Sequence, residues 1–460
     1  MTAFAGAAEK HPSSYRDPSG YIFSHKGEIY RQVNQSFKAD FDFFISSGLY
    51  EALVQENLLI PHQVIDQNLT SDNFWHTTIK PEKIGFISYP YEWPFSMLKD
   101  AALLTLKLAL KALEYGMILK DASPYNVQFH QGKVVFIDSL SFEKYNEGDP
   151  WIAYRQFCEN FIAPLALMHN RSLPMQQLLL AFPDGIPLSY ARSLLSFRSK
   201  FNIHLYLHVH LHASYAGKPS TQQKKTVLSK QKLINLLNSL LTLVTSFSFE
   251  KFENVWGKYY EEAETRPNYI TEKKGIIRDW LSSLPGFNTV LDAGGNNGEF
   301  SKLAAQHASQ VICADGEHFA INRLYNDIKL DSTTNILPLC IDLTNPTPAI
   351  GVNNEERASF FVRTNVDLVM GLALIHHLCI GRNIPFDLVA RMFAQLGRLL
   401  IIEFVDKEDE KVKIILQQKK DIYPWYTQQN FEQVFATRFK LVQKQALSSS
   451  PRTLYLMERL

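Results

Sequence analysis

The spacing of apolar and polar positions changes character near residue 287. Ahead of that point it is mixed. Residues 20–33 (GYIFSHKGEIYRQV) alternate apolar and polar about Lys26-Gly27, which predicts a β-hairpin. Apolar positions fall at helical spacing over 37–59, residues 84–90 (IGFISYP) predict a short strand, and 95–115 predict a long amphipathic helix stopped at Gly116. Two short strands follow at 127–129 and 134–137, about a Gln131-Gly132 turn. The spacing is helical again over 151–213 and 233–278, with a break at Arg266-Pro267. The polar stretch 214–230 (SYAGKPSTQQKKTVLSK) predicts a linker.

From 287 onward short apolar runs alternate with helical stretches: TVLDAG, QVICAD, ILPLCIDL, VDLVMGLAL and RLLIIEFV, then FKLVQKQ and RTLYLMER. Strands alternating with helices imply a mostly parallel sheet wound on both faces. Only ALSSSP separates the last two runs, too little for a crossover helix, so they should form an antiparallel hairpin at the sheet edge. The expected division is an α+β domain over 1–213, a linker over 214–230, a helical flap over 231–286 and an α/β domain over 287–460.

The chain's 460 residues suit more than one core, and a hydrophobic share of 46% with 20% charged residues suits globular packing. With 47 basic and 46 acidic residues the net charge is +1, so nothing electrostatic points to a nucleic-acid partner. Cys158, Cys313, Cys340 and Cys379 are scattered and read as reduced core thiols. The first residues lack a basic segment followed by an apolar one, and no apolar run reaches the roughly 20 residues of a membrane span. A cytoplasmic protein without a membrane span is expected.

Residues 290–298 (VLDAGGNNG) lie where a buried strand turns into a helix. Gly294 and Gly298 let backbone approach a ligand closely, and Asn296 stands where asparagine tolerates a left-handed backbone. Seventeen residues after Gly298 the run QVICAD ends in Asp315, placed to accept both hydroxyls of a ribose. A glycine turn of this kind also suits a nicotinamide-binding domain, but the closing hairpin does not. Together VLDAGGNNG, VICAD, CIDL and VDLVMGLALIHHL resemble the class I S-adenosylmethionine-dependent methyltransferases. The resemblance implies a Rossmann-like seven-stranded sheet. It also implies that Asp292, Gly294, Gly295, Asn296, Gly298, Asp315, Asp342 and Leu343 line S-adenosylmethionine, with Asp315 on the ribose and Asp342 near the adenine amine. Because the sulfonium already activates the methyl group, such an enzyme mainly aligns a nucleophile and excludes water.

His376 and His377 follow the fourth strand of that half, and Glu403 ends the fifth. Each is a candidate base for a protonated acceptor, or else lines the pocket or packs. The segment Gly371-Leu372-Ala373-Leu374 stands where Asn-Pro-Pro-Tyr would mark methylation of exocyclic base nitrogens, so nucleic acid is not the expected substrate. Trp256, Tyr259 and Tyr260, or Tyr423, Trp425 and Tyr426, could wall a substrate pocket or simply pack.

In the first half, Asp121, then Asn126 five residues on, then Asp138 at the end of a strand, are laid out as a kinase catalytic loop and metal site. The form Asp-x-x-Pro-x-Asn resembles aminoglycoside-phosphotransferase-like kinases. That resemblance implies an N-terminal α+β kinase-like domain with a helical extension, with Asp121 as base and Asn126 and Asp138 as magnesium ligands if Mg-ATP binds. The pattern departs in three places. No Gly-x-Gly-x-x-Gly loop occurs in residues 1–40, Ser139-Leu140 replaces Phe-Gly, and Arg31 takes the place of the phosphate-pairing lysine, with Lys38 an outside candidate. His208, His210 and His212 could share one face of a strand, and His204 and His208 one face of a helix, but no carboxylate or cysteine nearby completes a metal site.

IDSLSFEKY, WIAYRQFCENFIAPLALM and RTLYLMER extend a resemblance over the whole chain to bacterial methyltransferases related to a rhizobial nodulation protein. It implies a small-molecule or glycan-type acceptor, methylated on O or N, with a degenerate kinase-like half. The alternatives are a protein that also transfers phosphate from ATP, and a non-catalytic cofactor-binding interaction protein.

Overall fold

The computed structural model describes residues 8–215, 228–249, 267–417 and 419–460. They form two compact units: the described residues up to 249 together with Ala349–Arg357, and the remainder. Trp256, Tyr259 and Tyr260 lie outside the described residues, as does most of the expected linker.

The first unit carries an antiparallel sheet of β1 (Glu9–Lys10), β2 (Gly20–His25), β3 (Glu28–Asn34), β4 (His62–Ile65) and β5 (Trp75–Pro81), in the order β1-β2-β3-β5-β4. Lys26 at φ 52° and Gly27 at φ 80° make the expected turn between β2 and β3, since a two-residue hairpin turn needs two left-handed residues to match strand twist. Between β3 and β4, where one helical stretch was expected, two helices run over Lys38–Ser46 and Leu49–Gln55, parted by Gly48 at φ 83°. Residues 84–90 pair with no strand. The Gln128 side chain donates to Ser88 O and accepts from Ser88 N, both at 3.0 Å, doing for that backbone what a neighbouring strand would have done.

The helix Phe95–Glu114 buries most of its length, and the helix Lys230–Ser246 packs on it through buried Leu233, Leu237, Leu240 and Val244. Lys99 Nζ donates to Thr245 O (2.9 Å) and Phe247 O (2.7 Å) at the end of that second helix. Residues 231–249 therefore belong with the first unit, whereas the sequence pattern suggested that they lead into the second. Short strands β6 (Met117–Leu119) and β9 (Phe142–Lys144) pair, as do β7 (Val127–His130) and β8 (Lys133–Phe136) about Gln131-Gly132.

The second unit is built on seven strands: β10 (Thr289–Ala293), β11 (Gln310–Asp315), β12 (Ile336–Cys340), β13 (Val366–Gly371), β14 (Gly397–Val405), β15 (Phe439–Ala446) and β16 (Arg452–Arg459). Their order is β12-β11-β10-β13-β14-β16-β15, with β10 to β14 parallel and β16 antiparallel to both neighbours. This is the Rossmann-like sheet with a closing antiparallel hairpin that the methyltransferase resemblance implies. The inner strands are mostly buried and rich in Val, Leu and Ile, as expected for a sheet covered on both faces. Their few acidic residues cluster toward the strand ends or the site. The edge strand β15 is exposed along nearly its whole length and carries Lys440, Gln443, Lys444 and Gln445, residues that discourage edge-to-edge pairing. From β10 the chain runs outward to β12 and returns to the other side at β13. The strand order thus reverses at β10 and β13, and ligands of open α/β sheets bind beyond the carboxyl ends of such a pair. No helix among the described residues is long and apolar enough to cross a membrane.

Candidate functional site

At the carboxyl end of β10 the chain makes the glycine turn that leads into the helix Glu299–Ala304. Gly294 and Gly298 both sit at φ 76°, and Asn296 is left-handed at φ 49°. A Cβ on Gly298 would stand 2.6 Å from Leu324, and one on Gly295 2.6 Å from Cys313 Sγ and 2.7 Å from Asp292 Oδ2. Each glycine is therefore required by conformation or by close packing. Asp292 is buried and accepts from Ser301 Oγ at 2.7 Å. Burial pushes its carboxyl up to about 6, with Asp315's charge adding and Ser301 and Lys273 opposing. It braces the turn from beneath.

Asp315 ends β11 beside this turn. Its Oδ2 accepts from Asn296 N (2.9 Å) and its Oδ1 from Glu317 N (2.7 Å), tying the glycine turn to the start of the helix His318–Leu330. Burial raises its carboxyl, against those two hydrogen bonds. Each oxygen keeps a lone pair free of these bonds, enough for a diol. Asp342 is exposed after β12 and accepts from Thr344 N and Oγ1 (2.8 and 2.7 Å), while the neighbouring Leu343 is buried. Asn297, which the sequence reading passed over, holds a buried Oδ1 without a hydrogen-bond partner among the described residues. A buried acceptor left open inside a glycine turn suits a ligand that brings a donor. Glycine backbone, an acidic strand end and an open acceptor are together what an adenosine-containing, amino-bearing cofactor needs.

Across the crevice, β13 ends at Gly371 and leads to His376 and His377. His376 is fully buried, and neither ring nitrogen finds a partner among the described residues. Burial, then the charges of His377, Arg452 and Lys273, push its proton affinity well below the usual imidazole range. Burial, then Arg452, brings His377 down to about 4. Both rings are therefore neutral and poor proton acceptors at neutral pH. Glu403 is fully buried and accepts from Tyr269 Oη (2.7 Å), Lys273 Nζ (2.6 Å) and Ala373 N (2.7 Å). Burial would raise its carboxyl, but Lys273 and Arg452 hold it below the usual range. A carboxylate so engaged does not serve as a base. Tyr426 donates to Val405 O (2.9 Å) and stacks on Phe404, and Trp425 meets Phe386 edge-on, so this aromatic group packs against the sheet.

In the first unit Asp121, Asn126 and Asp138 do come together. Asp121 accepts from Ser123 N (2.9 Å), Gln156 Nε2 (2.8 Å) and the Asn126 side chain; burial, then the Asp138 charge, raises its carboxyl. Asn126 Nδ2 donates to Ser141 Oγ (3.3 Å), which donates in turn to Asp138 Oδ2 (2.8 Å). Arg31 Nη1 lies 2.6 Å from Asp138 Oδ1 and Nη2 3.2 Å from Asp17 Oδ2. A guanidinium thus faces the carboxylate expected to hold magnesium. Lys38 instead pairs with Asp42 at the surface. Within the same unit Glu356 binds Arg16 and Tyr15, and the Arg357 guanidinium lies 4.3 Å from the ring centroid of Tyr125, between Asp121 and Asn126 in the chain. His204 and His208 share Ser239 Oγ, His208 also meets Tyr154 Oη, and His210 meets Ser199 Oγ. Among the described residues no group of three or more His, Cys, Asp or Glu is placed to hold a metal.

Compared with known proteins, the chain is 30% identical to the nodulation protein NoeA of Rhizobium meliloti (strain 1021) over 476 residues, covering 100% of this chain and 98% of that one. The chain belongs to the NoeA family. No family model matches the chain. Among solved structures it is similar to the magnesium protoporphyrin IX methyltransferase ChlM of Synechocystis PCC 6803, with 16% identity over 46% of this chain and 90% of that one at a TM-score of 0.30. It is similar also to the N-methyltransferase NodS of Bradyrhizobium japonicum WM9 (11%, 42% and 96%, TM-score 0.31) and to the bifunctional kinase-methyltransferase WbdD (19%, 47% and 45%, TM-score 0.29). The fold assignment rests on the strand order and not on these scores.

Proposed function

We propose that this NoeA-family protein is an S-adenosylmethionine-dependent methyltransferase acting on a small-molecule or glycan-type acceptor, at oxygen or nitrogen. The observation that carries the reading is the left-handed glycine turn tied to Asp315 at the point where the strand order reverses. Bound there, the cofactor supplies a methyl group already activated for transfer. Asp315 takes the ribose hydroxyls, the backbone of 294–298 lies along the cofactor, and Asn297 Oδ1 accepts from its amine. Asp342 and Leu343 edge the adenine. His376 and His377, neutral and largely buried, line the acceptor side and exclude water.

The N-terminal unit is a kinase-like module without phosphotransfer. A second reading, in which it also transfers phosphate from ATP, is favoured by the convergence of Asp121, Asn126 and Asp138. The Arg31–Asp138 pair weighs against it, because it occupies the carboxylate that magnesium would need.

Calorimetric titration with S-adenosylmethionine, and separately with magnesium–ATP, tests both. Wild type should bind the methyl donor and show no magnesium-dependent uptake of ATP. Asp315→Ala should weaken binding of the methyl donor roughly 100-fold, the loss of two charge-assisted hydrogen bonds. No binding by wild type ends the first reading, and magnesium-dependent ATP binding promotes the second.

A further inference from the structure

Three successive residues of the helix Pro267–Ser283 reach three separate elements of the second unit. Glu272 accepts from Ser448 N and Oγ (2.7 and 2.8 Å) and from Ser449 N and Oγ (3.2 and 2.6 Å), in the turn between β15 and β16. Lys274 Nζ lies 3.0 Å from Glu299, at the start of the helix after the glycine turn. Between them Lys273, 2% exposed, reaches Glu403. Together the three contacts fasten the helix to the closing hairpin, to β14 and to the helix after the glycine turn.

The middle contact belongs to a network that crosses the unit. Tyr269 Oη donates to Glu403 Oε1 (2.7 Å) and receives from Lys273 Nζ (3.1 Å) and Arg452 Nη1 (2.6 Å). Arg452 lies 3.6 Å from Glu403 Oε1 and forks onto Asp409 at 2.8 and 3.0 Å. Two cations thus balance two carboxylates, and all four are nearly or fully buried. Replacing such a network with apolar residues is often neutral or stabilising, so stability alone is a poor reason for it. Its structural output is the remaining bond, from Ala373 N to Glu403 Oε2 at 2.7 Å. Ala373 is left-handed at φ 49°, a conformation in which an alanine is strained. It sits between the end of β13 and His376.

We infer that Glu403, held by Lys273 and Arg452, is a positioning residue that fixes the Ala373 turn, and with it segment 371–377, in the shape that receives the methyl donor. The inference rests on the methyl-donor reading proposed above. Its subject is not proton transfer. Protonating Glu403 would strand two buried cations, and its oxygens are already filled by Tyr269, Lys273, Arg452 and the Ala373 amide. Helix Pro267–Ser283 accordingly acts as a fixed staple, whereas the sequence pattern suggested a flap.

The test combines calorimetric titration with S-adenosylmethionine and circular dichroism on the full chain. Glu403→Gln and Lys273→Met should each lower the unfolding midpoint and, in the folded fraction, bind roughly 10-fold more weakly, the effect of one charge-assisted hydrogen bond. Arg398→Ala, which breaks an exposed pair with Glu458 at the amino end of β14, should bind like wild type. Adding Ala373→Gly to Glu403→Gln should recover much of the lost affinity, because glycine holds a positive φ without strain. Tyr269→Phe deletes one hydrogen bond to Glu403 and no charge, and gives the same direction at roughly 3-fold where a charge deletion does not fold. A folded Glu403→Gln, or Tyr269→Phe in its place, that binds like wild type overturns the inference, as does a loss that Ala373→Gly leaves untouched. Wild type that fails to bind S-adenosylmethionine removes the methyl-donor reading itself, a result read before any variant.

Discussion

Asp292 shows how one side chain can serve a turn that it does not enter. Its Oδ2 would lie 2.7 Å from a Cβ on Gly295, and Ser301 donates to it from the following helix. The cost is a buried carboxyl raised by desolvation to about 6, above the roughly 3.9 of an unfolded chain. Below about pH 4 both states hold the proton and the contribution to stability is complete. As pH rises through 6 the folded state must ionise in a dry site, and on the order of 3 kcal/mol is lost. Asp292→Asn does not titrate. Its unfolding free energy relative to wild type should therefore move in the variant's favour between pH 4 and 7, measured by urea denaturation. A difference independent of pH would show that Asp292 is not the group responsible.

At the scale of elements, the glycine turn depends on φ as much as on chemistry. Gly298→Ala places a methyl against Leu324 at 2.6 Å and holds an alanine at φ 76°. Strain and overpacking together should cost about 2 kcal/mol or more, read as a lower denaturation midpoint, and the helix Glu299–Ala304 should lose its register with the cofactor. A variant as stable as wild type would mean that the turn adapts. This turn, Asp315, the strand series and the closing hairpin were legible in the sequence, because local geometry fixes which residues can stand there. Asp121, Asn126 and Asp138 were legible for the same reason. The Lys273–Glu403–Arg452 network was not. Its members lie 130 and 49 residues apart and meet only through sheet topology, and a lysine in a helix looks the same whether it faces solvent or a core. IGFISYP misled because apolar alternation does not reveal that a glutamine side chain, and not a strand, satisfies its backbone.

Over the whole molecule the titrating groups pull in opposite directions, and histidines prevail on the acid side. His62 and His208 in the first unit and His377 in the second are all brought down to about 4, chiefly by burial. Their contribution is complete above the unfolded value near 6.5 and is lost as pH falls toward 4. Glu403, held low by its two cations, adds to the loss on further acidification. Asp121, Glu143, Asp292 and Asp315, whose carboxyls burial raises, gain over much of the same range, but the histidines that burial lowers outnumber them. Thermal unfolding should therefore shift to lower temperature between pH 7 and 4.5, and because both units hold such histidines, both should shift. A midpoint that stays level would show that the imidazoles are charged in the folded protein.

The nine residues 349–357 are counted with the first unit, while the chain on either side of them belongs to the second. Glu356 and Arg357 find Arg16, Tyr15 and Tyr125 there. No single cut in the gene separates the two halves cleanly. A recombination event that exchanged one half for a foreign one would leave this short loop facing partners it had never met.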